Sequence, residues 1–170
     1  LTFTISAAAV SSLFAVGTAS ADLQQMSYDS VENGMAGLTT WRIYADIDDG
    51  ELDAVYGDSE NALSIDSGNG FYQNQFGGYG TPSESLFAFF PSLEYDSFVT
   101  IGLLNDTGDA MMDIGIDWTN FEDNGGEIWT DNGTWFATPD EAQVQDVDGR
   151  VLIGQFTVED GDYIFGSVNL

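Results

Sequence analysis

Carboxylates are the reactive groups this chain holds in quantity. Its 170 residues include 29 Asp and Glu but only two cations, Arg42 and Arg150, and no His, Cys or Lys. Without His or Cys, Ser-His-Asp and Cys-His catalysis lack their base, and His/Cys zinc sites lack their ligands. Without Lys there is no P-loop, no Schiff base and no pyridoxal attachment. Two chemistries remain, coordination of a hard cation and acid/base work by paired carboxylates. A glycosidase pair needs only two acids about 5–10 Å apart across a cleft. With so many acids such a pair arises by chance, so no residue is singled out as catalytic.

Calcium takes about six to eight oxygens from carboxylates, carbonyls and water. The densest candidate is Asp46-Ile47-Asp48-Asp49-Gly50-Glu51, and the next is Asp146-Val147-Asp148-Gly149. Neither has the glycine and glutamate positions of an EF-hand loop. A calcium site would therefore pool Asp46, Asp48, Asp49 and Glu51 with Asp146 and Asp148 from the second turn. The competing explanation is that Asp and Gly are good turn formers. A second ligand class, polysaccharide, would use exposed rings. Tyr72, Tyr79, Trp129 and Trp135 lie in or near turns and are the candidates for a sugar platform, whereas Trp41 and Trp118 sit in strand patterns and are expected in the core. A loop aromatic also serves simply to pin its loop.

The elements that must position these groups read as strands. Leu38–Ile47 alternates with period 2, as does Met112–Trp118, and Ser97–Leu104, Arg150–Val158 and Tyr163–Leu170 read as further strands, the last running in apolar alternation to Leu170. Shorter strands are expected at Leu52–Tyr56, Ala62–Ile65, Ile128-Trp129 and Thr134–Ala137, the last two as a pair. Glu159-Asp160-Gly161-Asp162 reads as a hairpin turn joining the two C-terminal strands. Gly68–Gly80 is a loop rich in Gly, Asn and aromatics, and Ser83–Phe90 has room for one helical turn before Pro91. About eight short strands with Gly/Asp/Asn turns predict an all-β fold, a single antiparallel β-sandwich of jelly-roll type. Trp41, Ile43, Val99, Ile101, Leu103, Ile114, Ile116 and Phe156 are its expected core.

Two domain-level features bear on location. Leu1–Val16 is uncharged and apolar, and Ala19-Ser20-Ala21 follows it, the pattern of a signal-peptide core and cleavage site. Residues 1–21 are thus expected to be a leader remnant, and Asp22–Leu170 the β-sandwich domain. The chain opens on Leu1 rather than Met, and its apolar alternation runs up to Leu170, so a longer protein is expected on both sides. The whole formal charge of −27 falls after Ala21. Such a surface attracts cations and repels nucleic acid and anionic membranes. No segment after the leader has the length of a membrane-spanning helix. An exported domain of this size needs no disulfide if its core is adequate.

Three strings carry a resemblance. Gly70-Phe71-Tyr72-Gln73 with Phe76-Gly77-Gly78, then the run from Phe89 to Gly102, then Ile114-Gly115-Ile116-Asp117-Trp118 are similar to segments of large secreted or cell-surface proteins of marine and environmental bacteria. The resemblance covers roughly Trp41 to Leu170 and implies export and a surface setting, with no activity attached. Together these readings lead to the expectation of a non-enzymatic extracellular or cell-surface module, structural or adhesive, with Ca2+, polysaccharide or like subunits as partners. The alternatives are a matrix subunit assembling by strand addition and a carbohydrate-active hydrolase using two carboxylates.

Overall fold

The computed structural model describes residues 2–6, 23–48 and 50–170. Eleven strands are present among them: β1 (Thr2–Ser6), β2 (Leu23–Val31), β3 (Leu38–Ile47), β4 (Ala54–Gly57), β5 (Leu63–Ser67), β6 (Phe98–Val99), β7 (Met112–Ile114), β8 (Ile128–Thr130), β9 (Gly133–Phe136), β10 (Arg150–Glu159) and β11 (Tyr163–Ser167). They form three antiparallel sheets ordered β1-β11-β5-β8, β2-β3-β10-β6 and β4-β9-β7. The chain is all-β, with one six-residue helix, α1 (Thr119–Asn124), and short 3-10 turns at Glu84–Leu86, Pro91–Tyr95 and Ala142–Val144. No helix of the described residues is long and apolar enough to cross a membrane.

The longest pairing joins β3 to β10. Alternation in β3 turns Trp41, Ile43, Ala45 and Ile47 inward, and all four are buried. β10 carries a bulge between Leu152 and Gly154 and is buried on both faces, which its sequence pattern conceals. Its buried polar residues are satisfied. Gln155 accepts from Arg42 Nε at 3.0 Å and donates to the carbonyls of Glu94 and Asp96, and Thr157 bonds Thr40 and the Tyr95 carbonyl. Gly154 is small of necessity, because a Cβ there would lie 2.7 Å from the Phe156 ring. One hydrophobic cluster draws from all three sheets, including Ile65 and Ile164, Ile43 and Phe156, and Val55 and Trp135.

Several expected elements differ. Ser97–Leu104 is extended only at Phe98–Val99. Thr100 Oγ1 accepts from Leu103 N and Gly102 adopts φ +77°, so the chain turns there and leaves Leu103 half-buried. β7 ends at Ile114, just before Gly115, which also has positive φ, and its register is opposite to expectation. Asp113 points inward, its carboxylate taking the Trp118 indole at 3.0 Å and the Tyr79 hydroxyl at 2.7 Å. Ile114 is therefore 65% exposed rather than core, and Ile116 is half-buried. β8 and β9 do not pair with each other: β8 joins β5, and β9 lies between β4 and β7. The turn at Glu159–Asp162 forms, with Asp162 N donating to Glu159 O, but β10 and β11 enter different sheets, so it is a corner instead of a hairpin. β2 lies in a stretch for which the sequence pattern predicts no strand. Finally, Thr2–Ser6 lies within the expected leader yet pairs along its whole length with β11, and Phe3 is buried. Residues 7–22, with the expected cleavage site, lie outside the described residues.

Candidate functional site

The β3–β10 pairing carries the two acidic turns to one corner. Arg150 stands opposite Asp46, and Ile47 N donates to Gly149 O at 2.9 Å. Asp46, Asp48 and Asp148 consequently line one open cleft of about 520 Å3, with Ser27, Gly149 and Arg150. The other candidate ligands are turned elsewhere. Glu51 accepts from Gln145 Nε2 at 2.8 Å, and Asp146 accepts from Gly149 N at 2.7 Å. Asp49 lies outside the described residues. Asp46 already receives Gln25 Nε2 at 2.8 Å and the Ser27 hydroxyl at 2.5 Å. Among the described residues no three acidic side chains converge closely enough to enclose an ion. The second motif has a purely local reason as well. Asp148 and Gly149 both take positive φ, at 55° and 81°, between bridged Val147 and Arg150, which is the two-residue hairpin turn that Asp-Gly favours. Arg150 completes the corner, donating to Asp29 at 2.6 Å with its guanidinium 4.0 Å from the Tyr44 ring centroid.

The four candidate aromatics do not make one platform. Trp135 is fully buried, its indole donating to Thr100 O at 3.1 Å. Alternation along β9 accounts for this, since Gly133 and Trp135 face inward. Tyr79 stacks on Trp118 with centroids 4.5 Å apart and an interplanar angle of 9°. Its hydrogen bond to Asp113, and then burial, push the phenol up to about 12. Tyr72 is half-buried and its hydroxyl accepts from Asn74 Nδ2 at 3.1 Å. Trp129 alone of the four is exposed, at 52%.

Three features escape the sequence pattern. The first is an uncharged sheet face. Met112, Phe136 and Ala54 form one cross-strand row over β7, β9 and β4, and Ile114, Thr134 and Tyr56 form the next. All six are exposed or half-buried, and none is charged. The second is a ring cluster, Phe76 and Phe90 with centroids 4.0 Å apart and Phe89 beside Phe90 in sequence at 75% exposure. The third is Asp96, fully buried beneath the Gly68–Gly80 loop. Asn74 N donates to its Oδ1 at 2.6 Å, while Oδ2 has no hydrogen-bond partner and abuts Gly77, where a Cβ would collide with it. Burial pushes this carboxyl up to about 7, against the backbone N–H groups of Asn74, Ser97 and Gly78, which pull it down. Only the Asn74 contact is a well-formed bond, so burial prevails. A single acid beside a glycine-rich turn has no sequence signature.

Comparison with protein-family models, with curated proteins and with solved structures found no match.

Proposed function

We propose that this chain is a non-enzymatic extracellular module, a β-sandwich with a structural or adhesive role, exported by way of the leader-like segment and set at the cell surface or in its matrix. The observation that supports this most is the uncharged face of β4, β9 and β7 on a chain of net charge −27. Burying an unpaired carboxylate against a partner costs several kcal/mol, and an extended apolar or hydroxyl-bearing face avoids that cost. The acidic remainder keeps modules dispersed, and high ionic strength screens their repulsion within about 10 Å. An uncharged sheet face suits an uncharged ligand such as a neutral polysaccharide.

The test is retention on an insoluble neutral polysaccharide at high NaCl. Wild type is expected to bind, and Ile114→Asp combined with Met112→Asp to bind roughly a hundred- to ten-thousandfold more weakly. That range follows from about 1.5–3 kcal/mol for each buried apolar side chain and tenfold per 1.4 kcal/mol. Trp129→Ala, run in parallel, separates a ring contact at β8 from the sheet face. If wild type and the double variant are retained alike, the face has no adhesive role.

Calcium at the joined acidic turns is a second reading, favoured by the shared cleft of Asp46, Asp48 and Asp148. Extracellular sites of this kind have dissociation constants of about 0.1–1 mM. At ten to a hundred times that concentration, linkage adds roughly 1.4–2.7 kcal/mol. For a domain of this size that is roughly 3–10 °C in melting temperature. We expect such a rise at fixed high NaCl in wild type and its loss in Asp48→Asn. If calcium adds nothing once salt is high, the two turns are only solvated acids.

A further inference from the structure

We infer that the outer edge of β11 is a strand-acceptor surface, which in the processed chain takes β11 of a second copy. The edge is filled here by β1, in full antiparallel register from Thr2↔Ser167 to Ser6↔Tyr163. The fit extends beyond the backbone. Phe3 is buried and belongs to the shared hydrophobic cluster, and its partner in register is Gly166. A Cβ on Gly166 would lie 3.2 Å from the Phe3 ring and 2.3 Å from the Ser64 carbonyl, so the glycine leaves room for both. Thr2–Ser6 also lies within the segment that reads as a leader ending at Ala21. If export removes that segment, β11 loses its neighbour and its backbone N–H and C=O groups open to solvent.

Native sheets protect such edges with charge, proline or a bulge. β11 has none of these. Its five residues, Tyr163-Ile164-Phe165-Gly166-Ser167, are uncharged and contain no proline, and they pair with β1 and β5 without a register break. Elsewhere the net charge of −27 opposes contact between copies. This strand is also complementary to itself. An antiparallel pair of copies related by a twofold axis at Phe165 sets Tyr163 against Ser167, Ile164 against Gly166, and Phe165 against its equivalent. Every residue of the strand finds a partner, and no two carboxylates of the paired strands meet. Strand addition of this kind draws its affinity from main-chain hydrogen bonds, and a twofold contact closes at two copies.

The inference rests on removal of the leader, so the two are tested separately. Mass measurement of the exported protein establishes whether the chain begins at Asp22. Light scattering during size exclusion then compares three chains at tens of micromolar. The chain beginning at Asp22 is expected to be a dimer, and the full chain, with β1 in place, a monomer. The full chain bearing Thr4→Pro, which expels β1 without shortening anything, is expected to dimerise. Adding a synthetic peptide of residues Leu1–Ser6 should return both dimers to monomers. Phe165→Lys, at an outward position on the strand, should do the same without changing the melt of the monomer, whereas Ile114→Asp should not. A monomeric Thr4→Pro chain, a dimer indifferent to the peptide, growth beyond two copies, or failure of the Asp22 chain to fold would each overturn the proposal.

Discussion

Trp135→Ala is expected to unfold this protein about 3–5 kcal/mol more easily than wild type. The side chain is among the largest that are fully buried, and its ring lies 6.2 Å from that of Trp118 across the cluster. Truncation loses the apolar transfer energy and leaves a cavity that the β4-β9-β7 sheet cannot collapse to fill, because Trp135 is paired with both Val55 and Asp113. It also strips the Thr100 carbonyl of its indole donor inside the core. Since a domain's whole stability is about 5–15 kcal/mol, the variant sits close to unfolding at room temperature. Trp129→Ala provides the contrast. That ring is mostly exposed, and its removal should change stability by no more than about 0.5 kcal/mol. Urea titration of both variants makes the comparison. A loss below about 1.5 kcal/mol at Trp135 would mean that the ring is not packed as described.

The second large effect concerns pH. Asp96 titrates near 7 in the folded chain and close to its ordinary 3.8 when unfolded, because burial disfavours its charge. Below the lower value both states are protonated and the group costs nothing. As pH rises from about 4 to about 7 the unfolded chain releases its proton first, and folding stability falls through that window. At 1.36 kcal/mol per unit the full loss is on the order of 4 kcal/mol by pH 8. Self-repulsion among the other acids grows over the same range and also lowers stability, so wild type alone does not isolate the effect. Asp96→Asn does, because it keeps the acceptor for Asn74 and removes the titration. Its stability relative to wild type should climb between about pH 4 and 7 and then level off. A flat difference across that range would show that Asp96 is solvated and that the Gly68–Gly80 loop does not seal it.

How much of this was legible depends on whether the information was local. Period 2 in Leu38–Ile47 places Trp41 and Ile43 in the core correctly, and Val99, Ile101 and Phe156 are buried as expected although Ile101 lies beyond the end of β6. The same rule misplaces Ile114, because Asp113 is held inward by two hydrogen bonds. One comes from Trp118, five residues on, but the other comes from Tyr79, 34 residues away, and no local window around Asp113 contains it. β10 fails the rule differently. Part of β10 packs into the hydrophobic cluster, while Gln155 and Thr157 are covered by Arg42 and the carbonyls of Glu94, Tyr95 and Asp96, so polarity ceases to mark the outside. The acidic turns show the same division. Their composition and turn-forming geometry are local, whereas their meeting at one corner is a product of β3–β10 register. Pairing between distant strands was the missing quantity throughout, and it also hid the entry of β10 and β11 into separate sheets.

That pairing has a bearing on the order in which the chain folds. The side-chain bond between Arg42 and Gln155 spans 113 residues of sequence, and the Thr40–Thr157 bond spans 117. β3 therefore has its central partner more than a hundred residues further along, and closing so long a loop comes before any reward from packing. Until Arg150–Glu159 arrives, β3 has only the edge strand β2 beside it, and a two-stranded ribbon is marginal in water. The β2-β3-β10 sheet is thus completed only after more than a hundred further residues have been made, and until then a dense negative charge discourages the open ribbon from aggregating. Closure of that sheet is a long-range step, gated by the arrival of a single strand.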